Sequence, residues 1–131
     1  MIDPTLAVLL FLLPIKHYLA DYHWQTLWMI EGKRRYGAPG GLAHAGVHGA
    51  LTVPVLLLAG IGVGWALALA ATEAVLHYHI DWLKKRGDLA GTPGPESKAY
   101  WRAFGLDQTA HYLTYAAMTL LCMAVLAPVA S

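Results

Sequence analysis

Long apolar runs, interrupted at regular intervals by histidine and aspartate, make up most of the chain. A helix that crosses a bilayer needs about 20 mainly apolar residues. Four stretches meet this requirement, over about residues 4–30, 41–61, 64–85 and 97–126. The pattern therefore predicts an all-α integral membrane protein, folded as one domain over residues 1–131 into a four-helix bundle of two hairpins.

The connecting segments predict how the bundle is oriented. EGKRRYGAPGG and KKRGDLAGTPGPES are rich in glycine, proline and positive charge, whereas GIGVG is a tight turn. Because basic residues beside membrane spans mark the cytoplasmic side, both termini are expected on the non-cytoplasmic side of a bacterial inner membrane. Asp3 and Pro4 have the character of a helix N-cap and first helical residue, and not of a secretory leader.

Each predicted span carries two potential metal ligands four residues apart, which places both on one face of a helix. The pairs are His17 and Asp21, His44 and His48, His77 and Asp81, and Asp107 and His111. Because successive spans run in opposite directions, the pairs are expected to form two layers about 6 Å apart. The deeper layer is predicted to contain His17, His48, His77 and His111, and the shallower layer Asp21, His44, Asp81 and Asp107. The order of the pairs also suggests an internal repeat about a two-fold axis along the membrane normal.

These residue types favour a divalent metal ion. Ionisable side chains inside a bilayer are costly and usually face the bundle interior. Imidazole and carboxylate together favour zinc, with iron or manganese also suitable, and eight ligands are enough for one or two ions. Polar contacts between helices are the alternative explanation.

Several polar residues lie near these stripes or off them. Gln25 extends the stripe of the first span, and Glu73 extends that of the third. His23 and His79 point away from the stripes, so they are expected at the surface or an interface. Lys16 also lies off the stripe and is expected to snorkel or to pair with a carboxylate.

Composition narrows the possible classes of protein. Hydrophobic residues make up 57% of the 131 residues and charged residues only 13%, which is too apolar for an ordinary soluble domain. The net charge of +1 gives no support for nucleic-acid binding. The single cysteine, Cys122, is expected to be a buried hydrophobe. Small-residue stretches such as GIGVG and ALALAA would allow oligomer formation through close helix contacts.

Several short motifs occur together in a fixed order along the chain. They are His17-x3-Asp21-x3-Gln25, Lys33, His44-x3-His48, His77-x3-Asp81-x2-Lys84 and Asp107-Gln108-x2-His111. From about residue 9 to residue 113, this set resembles a family of small bacterial and phage membrane proteins, the domain of unknown function 3307. The resemblance implies that supporting or substrate-binding roles fall to Gln25, Lys33, Lys84 and Gln108. It implies no activity.

The leading functional hypothesis is a metal-dependent intramembrane hydrolase that acts on a lipid or lipid-linked substrate near the cytoplasmic face. A metal ion activates water as a nucleophile near neutral pH, and Asp21, Asp81 or Asp107 would act as general base. The lysines would hold an anionic head group.

Three other classes of function remain open from the sequence. Rows of histidine and aspartate also suit a divalent-metal or proton transporter or sensor, although the outer segments LTVPVLLLAG and TLLCMAVLAP continue no polar stripe. Paired histidines could bind haem, but haem does not explain the aspartates. A structural, non-catalytic membrane protein is the last alternative.

Overall fold

The chain folds into helices. The structure is a computed structural model that describes residues 1–89, 91 and 94–126. Its α-helices are α1 (Pro4–Tyr18), α2 (Leu27–Gly32), α3 (Pro39–Leu58), α4 (Val63–Leu89) and α5 (Lys98–Leu126). A π-helical turn over Leu19–His23 continues α1. The predicted all-α class is confirmed for the part of the chain that the structure describes.

Local chemistry explains where α1 and α3 begin and end. Asp3 caps α1 as expected, because its carboxylate accepts hydrogen bonds from the backbone N–H of Thr5 at 2.8 Å and Leu6 at 3.3 Å. Pro39 occupies the start of α3, where a missing N–H costs nothing. Gly60 follows the end of α3 with φ +84°, a conformation that glycine adopts without strain.

The first predicted span is interrupted, and this corrects the expectation of one continuous helix from residue 4 to residue 30. The helix widens at the π turn, where the N–H of Trp24 donates to the carbonyl of Leu19 at 3.0 Å. The chain restarts at α2, whose N-cap Thr26 accepts from the N–H of Met29 at 3.3 Å. Asp21 therefore lies in a π turn, a feature that often occurs at functional sites.

The four long helices form a closed ring. Each packs against its neighbour in chain order, α5 packs back against α1, and the short α2 lies against α3. The pairings are antiparallel. At one end of the α1–α3 pair, Thr5 Oγ1 donates to the Ala59 carbonyl at 3.1 Å, and at the other end Asp21 meets His44 at 3.0 Å.

The interior of this ring has an apolar half and a polar half. The apolar half is built around fully buried side chains such as Leu9, Leu13, Leu56 and Cys122, which confirms that the cysteine is a buried hydrophobe. The polar half buries Lys16, His17, Lys33, His44, His48, Glu73, His77, Asp81, Asp107 and His111. Such groups need partners when they are removed from water.

Two segments of the described chain are long and apolar enough to cross a membrane, Pro4–His23 and Pro39–Leu58. They coincide with the apolar parts of the first two predicted spans, although buried helices of soluble proteins have similar composition. Helices α4 and α5 are longer, but their polar and charged side chains lower their mean hydropathy. The arrangement with four spans remains a prediction.

Candidate metal centre

Four histidines predicted to share one level lie around a ring in the polar half of the bundle, one from each long helix. The centroid separations of neighbouring imidazoles are 3.5 Å for His48 and His77, 4.2 Å for His77 and His111, 5.0 Å for His111 and His17, and 5.3 Å for His17 and His48. The i,i+4 spacing therefore located residues that are far apart in sequence and meet in the fold.

Asp21 lies between the imidazoles of three helices. Its Oδ1 is 3.0 Å from the Nε2 atoms of both His44 and His48, and 3.9 Å from Nε2 of His77. Its Oδ2 is 3.1 Å from Nε2 of His17. The π turn brings this carboxylate to the centre of the cluster.

Asp21, His44, His48 and His77 form a set of four potential ligands whose donor atoms all lie within 4.8 Å of one another. Zinc bonds of about 2.0–2.1 Å in a tetrahedron separate the ligand atoms by roughly 3.3 Å. The 3.0 Å distances from Asp21 Oδ1 and the 3.1 Å between the Nε2 atoms of His44 and His77 are close to this value. Asp21 Oδ1 and His77 Nε2 are farther apart, at 3.9 Å, so these four ligands could hold a divalent ion if that distance shortens.

His17 supplies a separate indication that the cluster favours positive charge beside Asp21. Tyr115 donates its hydroxyl to Glu73 Oε1 at 3.3 Å and lies 2.9 Å from His17 Nδ1. In this arrangement His17 Nδ1 donates to the tyrosine oxygen, so a neutral imidazole presents a lone pair at Nε2. That buried Nε2 has no hydrogen-bond partner and faces Asp21 Oδ2. Two lone pairs at this distance favour a positive charge between them.

Two further sets of donor atoms lie beside the first. One comprises His17, His77 and His111, and the other Asp81, Asp107 and His111. In the second, His111 Nε2 is 3.5 Å from both Asp81 Oδ1 and Asp107 Oδ1. Asp81 also reaches the first set, because its Oδ2 is 3.2 Å from His77 Nε2.

The carboxylates of the cluster differ in their cationic partners. Three lysine–carboxylate pairs are present, Lys16 with Glu73 at 2.8 Å, Lys33 with Asp81 at 2.8 Å, and Lys84 with Asp107 at 2.9 Å. Within residues 1–89 and 94–126, Asp21 has no lysine or arginine at ion-pair distance. A partly buried carboxylate whose neighbours are imidazoles, with no lysine or arginine beside it, is the position where a metal ion would offset the most charge.

A second polar layer lies beneath the histidines. Glu73 accepts from Lys16 and also from Thr52 Oγ1 at 3.0 Å. Its Oε1 is 3.8 Å from Nδ1 of His48 and 4.0 Å from Nδ1 of His77. Lys16 is only 4% exposed, so it pairs with a carboxylate and does not snorkel.

Sequence reasoning did not select Lys16, Thr52 or Tyr115 for the site. Nothing in their spacing marks them, because their contacts depend on the depth at which separate helices align.

The shallow side of the cluster opens into a polar cavity of about 230 Å³. Its lining includes the three aspartates Asp21, Asp81 and Asp107, together with Lys33, Lys84 and Lys85. The cavity thus joins the candidate ligands to three lysines, of which Lys33 and Lys84 pair with Asp81 and Asp107.

The two glutamines selected with the motifs also reach this cavity. Gln25 Nε2 donates to the backbone carbonyl of Asp21 at 2.8 Å, while its buried Oε1 has no hydrogen-bond partner. Gln108 Nε2 donates to Asp107 Oδ2 at 3.1 Å. Both therefore touch residues of the cluster.

The two remaining histidines lie outside the cluster, as their positions on the helices predicted. His23 is exposed and bonds with the Tyr18 hydroxyl at 3.1 Å. His79 Nδ1 donates to the Val75 carbonyl at 2.7 Å, and its Nε2 contacts the Tyr36 hydroxyl at 3.1 Å. They serve as natural controls for the buried histidines.

Comparison with known protein families identifies the family of this chain. The model of a family described as "Protein of unknown function (DUF3307)" matches residues 9–130, so the chain belongs to this family. The match confirms the family that the motifs resembled, the domain of unknown function 3307. No curated protein matches the chain, and no solved structure matches it.

Proposed function

We propose that the chain is a membrane-embedded metalloprotein that hydrolyses a lipid or lipid-linked substrate near the cytoplasmic face. The observation that carries the proposal is the environment of Asp21. This partly buried carboxylate contacts four imidazoles, whereas each of the other three cluster carboxylates pairs with a lysine. A zinc ion bound by Asp21, His44, His48 and His77 would neutralise the negative charge of Asp21 and use the positions of the surrounding imidazoles.

The arrangement in the membrane is part of the proposal. The four long helices would cross the bilayer, and large apolar side chains on their outer surfaces, such as Phe11, Leu58 and Leu120, would contact lipid. The basic residues near the ends of α2 and α4 lie at one end of the bundle, because Lys33 and Lys84 both reach the aspartate cluster. That end would be cytoplasmic, with both termini on the other side.

One or two ions are proposed, with the first in the four-ligand set. A second ion would use one of the two neighbouring donor sets, both of which include His111. Zinc is the favoured ion, and iron or manganese are the alternatives. Glu73 would orient the ligand imidazoles from beneath, as carboxylates commonly do around bound metals.

The residues facing the cavity would carry the chemistry. A bound divalent ion supplies an acidified water and polarises the bond to be cleaved. Asp81 and Asp107 border both the cluster and the cavity, and we assign Asp107 as the base that takes up the proton of the attacking water. Lys33 and Lys84 would stabilise negative charge on the substrate, and Gln25 and Gln108 would hold Asp21 and Asp107 in position.

The apolar half of the bundle favours this reaction over transport through the bundle. Beyond the polar layer, the interior is filled by side chains such as Leu9, Leu13, Leu56 and Cys122, all at most 1% exposed. An ion path along the bundle axis would have to open this packed core, at the cost of its buried apolar contacts.

Hydrolysis of ester-linked and phosphate-linked lipids in mixed micelles tests the proposal. We expect the zinc-loaded protein to turn over at least one lipid class, and chelation to abolish turnover. Asp107→Asn should lower the rate by roughly 10²-fold or more, as expected for loss of a general base, while the ion held by Asp21, His44, His48 and His77 is retained.

Asp3→Asn, the same substitution at the exposed cap of α1, is the matched control and should keep its turnover. If the metal-loaded protein turns over none of these lipids, the hydrolase proposal fails. If Asp107→Asn retains full activity, the assigned base is wrong.

A further inference from the structure

An apolar groove runs along the outer face between α4 and α5, with a volume of about 330 Å³. Leu83 and Leu106 form its walls and are 59% and 72% exposed. Gly87, Ala103 and Ala110 leave room between the helices. A cavity of this size is within the range of small-molecule sites.

The groove adjoins the polar cavity of the candidate metal centre. Lys84 and Asp107, joined at 2.9 Å, line both spaces. A ligand lying across this pair would have an apolar part against the outer face of the bundle and a polar part beside Asp21, Asp81 and Lys33. The two spaces together have the shape and polarity of a site for an amphiphile.

We propose that this groove binds the acyl chain of an anionic phospholipid whose phosphate enters the polar cavity. The substrate class named here rests on the proposed function. The cavity lining carries three lysines and three aspartates, so the divalent ion of the proposed function would give it an excess of positive charge, which a lipid phosphate complements best. The phosphate oxygens would take over Lys84 from Asp107, which would release that carboxylate to act as a base.

A comparable groove on the other side of α4 lacks this connection. It has a volume of about 350 Å³, lies between α3 and α4, and ends at Tyr36, Tyr78 and His79. Its lining includes none of the cluster carboxylates or lysines. The two grooves have similar volumes, but only the α4–α5 groove adjoins the polar cavity. The α3–α4 groove is therefore an internal control for binding of an acyl chain to any apolar groove on the bundle.

Two glycines allow the grooves to be filled separately. Gly87 lies in the α4–α5 groove and Gly46 in the α3–α4 groove, and a Cβ at either position would meet nothing within 4 Å. Replacing a helical glycine by leucine also favours the helix, so both variants are expected to fold.

The test is native mass spectrometry of detergent-solubilised protein titrated with dioleoyl phosphatidic acid. Dioleoyl phosphatidylcholine and inorganic phosphate are separate arms, and metal content is measured on each sample. We expect Gly87→Leu to weaken phosphatidic acid binding at least tenfold and Gly46→Leu to leave it unchanged. Phosphatidylcholine should bind more weakly than phosphatidic acid, and inorganic phosphate should bind equally to all three proteins.

The proposal is overturned if Gly87→Leu binds phosphatidic acid like the wild type, if both leucine variants lose it equally, or if the two lipids bind equally well. Groove-independent lipid binding by a protein that holds its metal would refute this site and leave the metal centre intact. Groove-dependent binding by a protein that takes up no metal would refute the proposed hydrolase and leave the lipid site.

Discussion

At the scale of single residues, Asp21 is distinguished by what surrounds it. Its carboxylate contacts imidazoles, whereas Asp81 and Asp107 already have lysine partners. Removing the negative charge while keeping the shape should therefore affect metal binding most at Asp21.

We predict that Asp21→Asn lowers zinc affinity by at least 10²-fold, because an amide oxygen carries no charge and is a weaker ligand. Competition with a chromophoric zinc chelator measures the change. Gln25→Ala is a neighbouring comparison, since it removes only a hydrogen bond to the Asp21 carbonyl, and its loss should be smaller. Equal zinc affinity for Asp21→Asn and the wild type would rule out Asp21 as a ligand.

The buried Lys16–Glu73 pair gives a second prediction at this scale. Breaking a buried ion pair leaves an uncompensated charge, so Lys16→Met should lower the free energy of unfolding by about 3–5 kcal/mol. The double variant Lys16→Met/Glu73→Gln should be more stable than Lys16→Met alone, because it buries no unpaired charge. Chemical denaturation in detergent micelles measures all three. A double variant less stable than Lys16→Met would contradict the pairing.

The spacing of histidine and aspartate identified the cluster because helical periodicity is regular and every ligand pair follows it. The same reasoning missed Tyr115 and Thr52, whose hydrogen bonds to Glu73 depend on the alignment of different helices. Sequence periodicity specifies a face of one helix, but it does not specify which residues of its neighbours lie at the same depth.

At the scale of elements, α2 is held close to α3 by glycines. A Cβ on Gly40 would collide with the backbone carbonyl of Trp28, and one on Gly32 would collide with the backbone of Gly41. This close approach sets the position of α2, and Lys33 directly follows α2 and reaches Asp81.

We predict that Gly40→Ala destabilises the protein by about 1–3 kcal/mol through overpacking against α2. Gly46→Ala on the same helix is the matched control. Its Cβ would meet nothing within 4 Å, so it should be neutral or stabilising by up to about 1 kcal/mol. Thermal unfolding in micelles compares the two. Equal unfolding midpoints would show that α2 does not require the glycine.

The four long helices could be predicted because their apolar runs and glycine- and proline-rich connections are unambiguous. The break after the π turn could not be predicted. The composition of the segment from Trp24 to Ile30 is also compatible with a helix that continues without interruption. Thr26 was the available signal, since threonine is a common N-cap residue. The packing of α2 on α3 determines whether the chain breaks here. The periodicity of a single helix carries no information about that packing.

At the scale of the whole molecule, the proposed orientation predicts which residues are accessible from each side of the membrane. In a Cys122→Ala background, Arg34→Cys should react with an impermeant thiol reagent only from the cytoplasmic side, and Asp3→Cys only from the opposite side. Labelling of right-side-out and inverted vesicles measures this. Reaction of both cysteines from the same side would contradict the single span proposed between Asp3 and Arg34.

The polar half of the bundle brings the candidate ligands together, and the proposed function depends on their binding a metal ion. Metal content is the most direct measurement of that binding. The protein is purified in mild detergent without a histidine tag, incubated separately with zinc, iron and manganese, desalted, and subjected to elemental analysis. His44→Ala/His48→Ala is compared with His23→Ala/His79→Ala, which removes two histidines outside the cluster. We predict one or two equivalents in the wild type and in the control, and loss in the cluster variant. No metal in the wild type, or equal metal in both double variants, would contradict a metal centre in this bundle.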